Sequence, residues 1–220
     1  MFIGFFDLET TGLPTTINFN TYYDPSITKY YNSSRVVQMA LIVYEVIPDE
    51  KQQIEYKMIS EHDYIIKPDG FTINNDHIHH ITNELANFAG IPFADAIGLL
   101  KADFLKCDWY IAHNIIFDKN VLLSELHRYQ ITDLIAKMKS SNIFCTSRDC
   151  RAVTQLKYKT GSFKQPKLIE LHKFLFETDP GELHNALADT RVLAACFFEM
   201  LKKQLVVYQN DKFVVNDVTG

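Results

Sequence analysis

The chain has 220 residues, 47% of them hydrophobic, with 27 acidic against 22 basic side chains and a formal charge of −5. That length suits one α/β domain with a sizeable core, and the moderate charge and 13% aromatic content exclude an intrinsically disordered chain. No apolar run reaches the roughly 18–20 residues of a membrane span, so no membrane partner is expected.

The opening Met1-Phe2-Ile3-Gly4-Phe5-Phe6 is apolar, too short for a signal peptide and preceded by no basic residue. It predicts a buried strand over Phe2–Leu8, ended by Thr10-Thr11-Gly12-Leu13-Pro14. Residues Thr15 to Ser34 read as a long polar loop rich in Tyr and Asn, a length that marks a functional or mobile connection. Arg35 to Ile47 holds a central strand, Val36–Tyr44. A turn over Pro48–Gln53 follows, then one or two more strands over Ile54–Ile66. Pro92–Lys106 has helical spacing, with Phe93, Ile97, Leu100 and Phe104 on one face. Trp109–Ala112 is a short strand, Phe117–Tyr129 a helix and Asn142–Cys145 another short strand. Pro166–Phe176 is a helix with Pro166 in its first turn, and Asn185–Lys203 a long one. The tail, Leu205–Tyr208 and Phe213–Val215, reads as a hairpin. Strands first, then helices among short strands, predict a mixed sheet with helices packed on it.

The four cysteines show no C-x-x-C spacing. Without a secretion signal they are expected as reduced thiols in an intracellular protein, cytoplasmic or nuclear. Between Lys137 and Lys173 the chain carries a net +7, so the remainder carries −12. Such a basic stretch in an acidic protein is a candidate phosphate-contacting surface, though an ordinary solvated face has the same composition.

Asp7 and Glu9 stand at i and i+2 near the end of a predicted strand and leave the same face of the sheet. Two acids aimed one way from an apolar strand repel each other and resist desolvation, and a divalent cation would relieve both. Taken alone, the pair equally describes a strand end open to water. Asp118 falls in a predicted first helical turn, where an acid also complements the helix dipole. His113 and Asn114 precede it in the connecting loop. His184 and Asp189 are five residues apart, about 140° on one helix, so they share a site only if His184 lies in the loop before the helix. A histidine there suits general-base work. Singly, each of these residues has an ordinary structural reading.

Together they resemble the DEDDh 3′→5′ exonucleases of the proofreading-subunit, DnaQ-like type. The blocks that carry the resemblance are Phe6-Asp7-Leu8-Glu9-Thr10-Thr11-Gly12-Leu13, Ala112-His113-Asn114-Ile115-Ile116-Phe117-Asp118 and His184-Asn185-Ala186-Leu187-Ala188-Asp189. Weaker matches are Val37-Gln38-Met39-Ala40, Lys67-Pro68 with Ile78-His79-His80-Ile81-Thr82, and Lys167-Leu168-Ile169-Glu170-Leu171. The resemblance covers roughly residues 2–203 in the family's order, leaving the tail 204–220 outside it. His80 stands where the family usually has glycine, and the Thr15–Ser34 loop is longer than in compact members.

The resemblance implies a single exonuclease domain over 1–220 with a ribonuclease H-like α/β fold, a mixed five-stranded sheet flanked by helices. It implies that Asp7, Glu9, Asp118 and Asp189 hold two Mg²⁺ or Mn²⁺ ions. Carboxylate and water ligands suit these hard cations better than zinc. His184 would deprotonate the attacking water, releasing nucleoside 5′-monophosphates from a 3′ end. Thr11, Gly12 and Leu13 would contact the terminal nucleotide, with His113 and Asn114 supporting the pocket. The implied partner is nucleic acid with a free 3′ end, single-stranded and with DNA favoured over RNA or short oligoribonucleotides. A polymerase or repair protein would be a further partner. A catalytically silent nucleic-acid-binding module is the competing class, and it would lack one of the five catalytic groups. The histidines His77, His79 and His80 are read as a polar loop or helix end rather than a second metal site.

Overall fold

The computed structural model of the chain describes residues 1–18, 21–48 and 54–216. Its centre is a five-stranded mixed sheet of β1 (Phe2–Thr10), β4 (Val36–Pro48), β5 (Ile54–Ile65), β6 (Trp109–Ala112) and β7 (Asn142–Cys145), in the order β5-β4-β1-β6-β7. β1, β4 and β5 form the antiparallel meander expected from the early chain, and β6 and β7 run parallel to β1. Of the expected turn Pro48–Gln53, Pro48 ends β4 and the remainder lies outside the described residues.

Alternation along β1 sends Phe6 and Leu8 to one face and Ile3 and Phe5 to the other. On the first face pack α3 (Phe93–Lys106), α4 (Ile115–Arg128) and α5 (Thr132–Ser140), through Leu100, Phe104, Leu122, Leu126, Leu134 and Met138. On the second pack α7 (Leu168–Phe176) and α8 (Ala186–Lys202), where Phe5 meets Phe197 and Phe198 at ring-centroid distances of 5.5 and 5.4 Å. The tail forms the expected hairpin, β8 (Val206–Gln209) with β9 (Lys212–Val215), and its Phe213 packs on Trp109 and Phe197. All four cysteines are free and buried. Among the described residues, no helix is long and apolar enough to cross a membrane.

Several expectations need correction. The segment Thr15–Ser34 contains a small ladder, β2 (Thr16–Asn18) with β3 (Thr21–Tyr22), and a 3₁₀ turn, Thr28–Tyr31. It is organised from outside: buried Tyr31 donates its hydroxyl to the Tyr23 carbonyl (2.6 Å), and Arg128 donates to the Thr28 carbonyl (2.6 Å) and the Asn32 side chain (2.7 Å). α4 begins two residues earlier than expected because Asn114 turns the chain at φ 75°. Pro166 stands outside α7, which starts after Lys167 when the Glu170 carboxylate accepts the Lys167 amide at 2.8 Å. Four further helices had not been expected: α1 (Asp76–His79), α2 (Asn83–Ala89), α5 and α6 (Arg151–Thr154). His80 closes α1 at φ 61°, the left-handed conformation that glycine adopts most easily.

Candidate active site

β1 ends in a register shift between Glu9 and Thr10. Asp7 and Glu9 leave β1 on its α8 face, just past the Phe5 cluster, and α8 brings Asp189 to meet them. One carboxylate oxygen from each of Asp7, Glu9 and Asp189 lies within 4.8 Å of the others, and this is the only such metal-compatible group among the described residues. His77, His79 and His80, read as a polar loop or helix end, lie on α1 and at its C-terminal cap, and the His79 ring accepts the Ile81 amide (3.2 Å). Asn75, which contacts that ring, donates to the Thr10 carbonyl at 2.8 Å.

Asp118 arrives from the fourth position of α4 and is only 3% exposed. It is not one of the three-oxygen group, and the backbone amides of Asp118 and Leu8 favour its charged form. Burial pushes the Asp7 carboxyl well above the ordinary carboxylate range, with Asp118, Asp189 and Glu9 adding repulsion. Burial, then Asp189, lifts Glu9 to about 7. Asp118 and Asp189 are raised mainly by burial as well.

His184 lies in the loop before α8 and Asp189 in its first turns, as their spacing required. His184 is exposed and left-handed at φ 71°, and its amide donates to Asp189 Oδ2 at 3.1 Å. The other oxygen, Oδ1, is buried with no hydrogen-bond partner among the described residues. A buried carboxylate oxygen left bare costs free energy that a cation would recover. The four acids therefore fit a divalent-cation site by donor chemistry, by crowding and by this orphaned atom.

The start of α8 is fixed by Gln38, which sequence reasoning had noted only within a strand. Its buried side chain accepts the Ala186 amide at 3.2 Å and donates to Asp63 at 2.7 Å. Asn185 caps α8 by accepting the Ala188 amide at 3.1 Å. A polar residue inside the apolar run Val36-Val37-Gln38-Met39-Ala40 was the available signal.

The turn after β1 presents Leu13, which is 77% exposed. The Thr11 hydroxyl is spent within that turn, donating to the Ser33 carbonyl (3.1 Å) and accepting the Arg35 amide (2.9 Å). Gly12 has φ 147°, and a Cβ there would lie 3.1 Å from the Ser33 carbonyl oxygen. Asp7, Asp189, His184, His113 and Asn114 line one cleft of about 670 Å³ together with Ser147 and residues 165–169. His113 bonds Thr146 (2.9 Å) and the Pro166 carbonyl (3.0 Å), and burial lowers it to about 4, so it is neutral and braces the cleft. The basic Lys137–Lys173 stretch is divided: Lys137 and Lys139 ride on α5, while Lys167 reaches the cleft. Arg148, Lys164 and Lys173 are held by Asp149, Glu170 and Asp179.

The chain matches no family model and no curated protein sequence. It is similar to solved structures of exonuclease I. With E. coli exonuclease I bound to a dT13 oligonucleotide it shares 19% identity and a TM-score of 0.64, over 93% of this chain and 41% of that one. The zinc-bound E. coli exonuclease I–ssDNA complex gives 19% and 0.59, over 92% and 41%. A moderately thermophilic exonuclease I from Methylocaldum szegediense gives 19% and 0.62, over 92% and 41%. The fold is thus the ribonuclease H-like α/β arrangement of these enzymes, and the chain spans about two fifths of their length.

Proposed function

We propose that the chain is a metal-dependent 3′→5′ exonuclease acting on single-stranded nucleic acid, with DNA favoured. The observation that carries this reading is the meeting of Asp7, Glu9 and Asp189 at one strand end, with Asp189 Oδ1 buried and unpartnered among the described residues. Support comes from the fold shared with exonuclease I, solved in complex with ssDNA and with a dT13 oligonucleotide.

Asp7, Glu9, Asp118 and Asp189 would hold the cations, two Mg²⁺ or Mn²⁺ ions by donor type. When bound, these would neutralise the carboxylates and stabilise the charge that builds on the reacting phosphate. His184, exposed at the mouth of the same cleft, takes a proton from a water through an imidazole nitrogen. The water oxygen attacks phosphorus, the bond to the 3′ oxygen of the next nucleotide breaks, and a nucleoside 5′-monophosphate leaves. The amide of His184 on Asp189 couples the position of the base to that of the carboxylate. Leu13 meets the terminal base from its pinned turn, where Thr11 and Gly12 act by shaping the backbone. His113 and Asn114 form the opposite lining.

The reading is tested with 5′-labelled single strands of DNA and RNA of one sequence, each with Mg²⁺, Mn²⁺ or EDTA. The expected result is a ladder shortening from the 3′ end, faster on DNA and absent in EDTA. Faster RNA loss would make the enzyme an exoribonuclease, and binding without hydrolysis in any metal would make it a silent binding module.

A further inference from the structure

The cleft that Asp7 and Asp189 line has a further stretch of wall, residues 165–169, to which the proposed reaction gives no task. Pro166 fixes that wall. Its carbonyl accepts His113 Nε2 at 3.0 Å and the Ser147 hydroxyl at 3.3 Å. Lys167 follows at the start of α7, and its amide donates to Glu170 Oε2 at 2.8 Å. The other Glu170 oxygen accepts Lys164 Nζ at 2.6 Å. Both oxygens of that carboxylate are thereby taken, and the Lys167 ammonium forms no ion pair among the described residues. A solvated lysine at a helix start is ordinary by itself, and position is what sets Lys167 apart. Among the described residues that line the cleft it is the one lysine or arginine, and it is exposed. Arg148, Lys164 and Lys173 of the same basic stretch are paired with acids, and none of them lines the cleft.

We propose, resting on the exonuclease reading, that Lys167 is a specificity-determining residue whose ammonium binds the phosphate next to the scissile one, at the second linkage from the 3′ end. The scissile phosphate belongs with the carboxylates and the cations they would hold, and Lys167 is outside the oxygen group of Asp7, Glu9 and Asp189. A strand lying in the cleft brings one more negative charge with each nucleotide, and a cation without an ion pair on the wall is its natural partner. An ammonium is a compact charge with three donors, so it grips a phosphodiester oxygen whatever the sequence. The contact would favour strands with at least two linkages over a dinucleotide, and it would read no base.

The test compares wild type, Lys167→Gln, Lys167→Arg and Lys57→Gln, a control on β5 away from the cleft lining. The substrates are 5′-fluorescein-labelled dT12 and the same strand with a neutral methylphosphonate at the second linkage from the 3′ end. The first cleavage is read with Mn²⁺, and binding by anisotropy with Ca²⁺ across a salt series. Wild type, Lys167→Arg and Lys57→Gln are expected to lose about 10-fold on the methylphosphonate strand, the value of one charge-assisted hydrogen bond. Lys167→Gln should lose about that factor on dT12 and nothing more on the methylphosphonate strand. Its salt slope for binding dT12 should also be shallower by about 0.7, one single-strand phosphate contact. If Lys167→Gln is as sensitive to the methylphosphonate as wild type, the proposal is overturned, since a merely structural lysine would weaken both strands alike. If wild type binds both strands but hydrolyses neither, the exonuclease reading fails while the binding ratio still judges Lys167. If it binds neither, both are overturned.

Discussion

Asp7, Glu9, Asp118 and Asp189 make protonation part of the stability of the metal-free protein. Free carboxyl groups titrate near 4, whereas burial raises all four here, with carboxylate repulsion added at Asp7, Glu9 and Asp118, and Glu9 is lifted to about 7. The folded state therefore holds these protons more tightly than the unfolded chain. That contribution is complete below about pH 4 and is lost as pH rises through about 7. His113 works in the other sense, since burial lowers it to about 4 and its contribution is lost as pH falls. The difference between wild type and Asp7→Asn isolates the carboxylates. In EDTA at pH 8, Asp7→Asn should melt about 3 °C or more above wild type, the shift of roughly 1 kcal/mol in a domain of this size. Mn²⁺ should raise the wild-type midpoint and leave that of Asp7→Asn nearly unmoved. Thermal melts across pH 5–9 with EDTA or Mn²⁺ read both effects, and equal midpoints under all conditions would refute the crowding argument.

The alignment of α8 depends on β4 through Gln38. Replacing Gln38 with Leu keeps the volume but removes the acceptor on the Ala186 amide. The rate should fall about 10–100-fold as His184 and Asp189 drift, since small misplacements of reacting groups cost that much. Circular dichroism should remain native, and a wild-type rate would show that the capping by Asn185 suffices. The elements that place the acids were legible because each is periodic or punctuated. The Phe5–Glu9 alternation, the short strand before His113 and the Asp179-Pro180-Gly181 break before α8 are all local signals. The interior of Thr15–Ser34 was not legible, because its order comes from Tyr31 and from Arg128, about 100 residues away in sequence. α5 was missed because its face reduces to Leu134 and Met138 among lysines. Asp118 was read in the right turn, but the effect of the Leu8 amide on its carboxylate links a helix start to a strand end that no spacing connects.

Both hydrophobic layers close on one sheet, and the C-terminal hairpin seals the second. Phe213, 7% exposed, fills the space between Trp109, Phe144 and Phe197. Phe213→Ala should cost about 3–5 kcal/mol, the range for a buried aromatic, in one cooperative denaturant transition. A loss below about 1 kcal/mol would separate the tail from the folding unit. The chain matches only 41% of the exonuclease I molecules it is similar to, so the decisive measurement uses this chain alone. A 5′-labelled single-stranded DNA is incubated with wild type, Asp7→Asn and His184→Ala in Mn²⁺. The account predicts stepwise loss from the 3′ end by wild type, with nucleoside 5′-monophosphate as product. It predicts no loss with Asp7→Asn and a rate about 10²–10⁴-fold lower with His184→Ala. Undiminished hydrolysis by Asp7→Asn, or none by wild type, would contradict it.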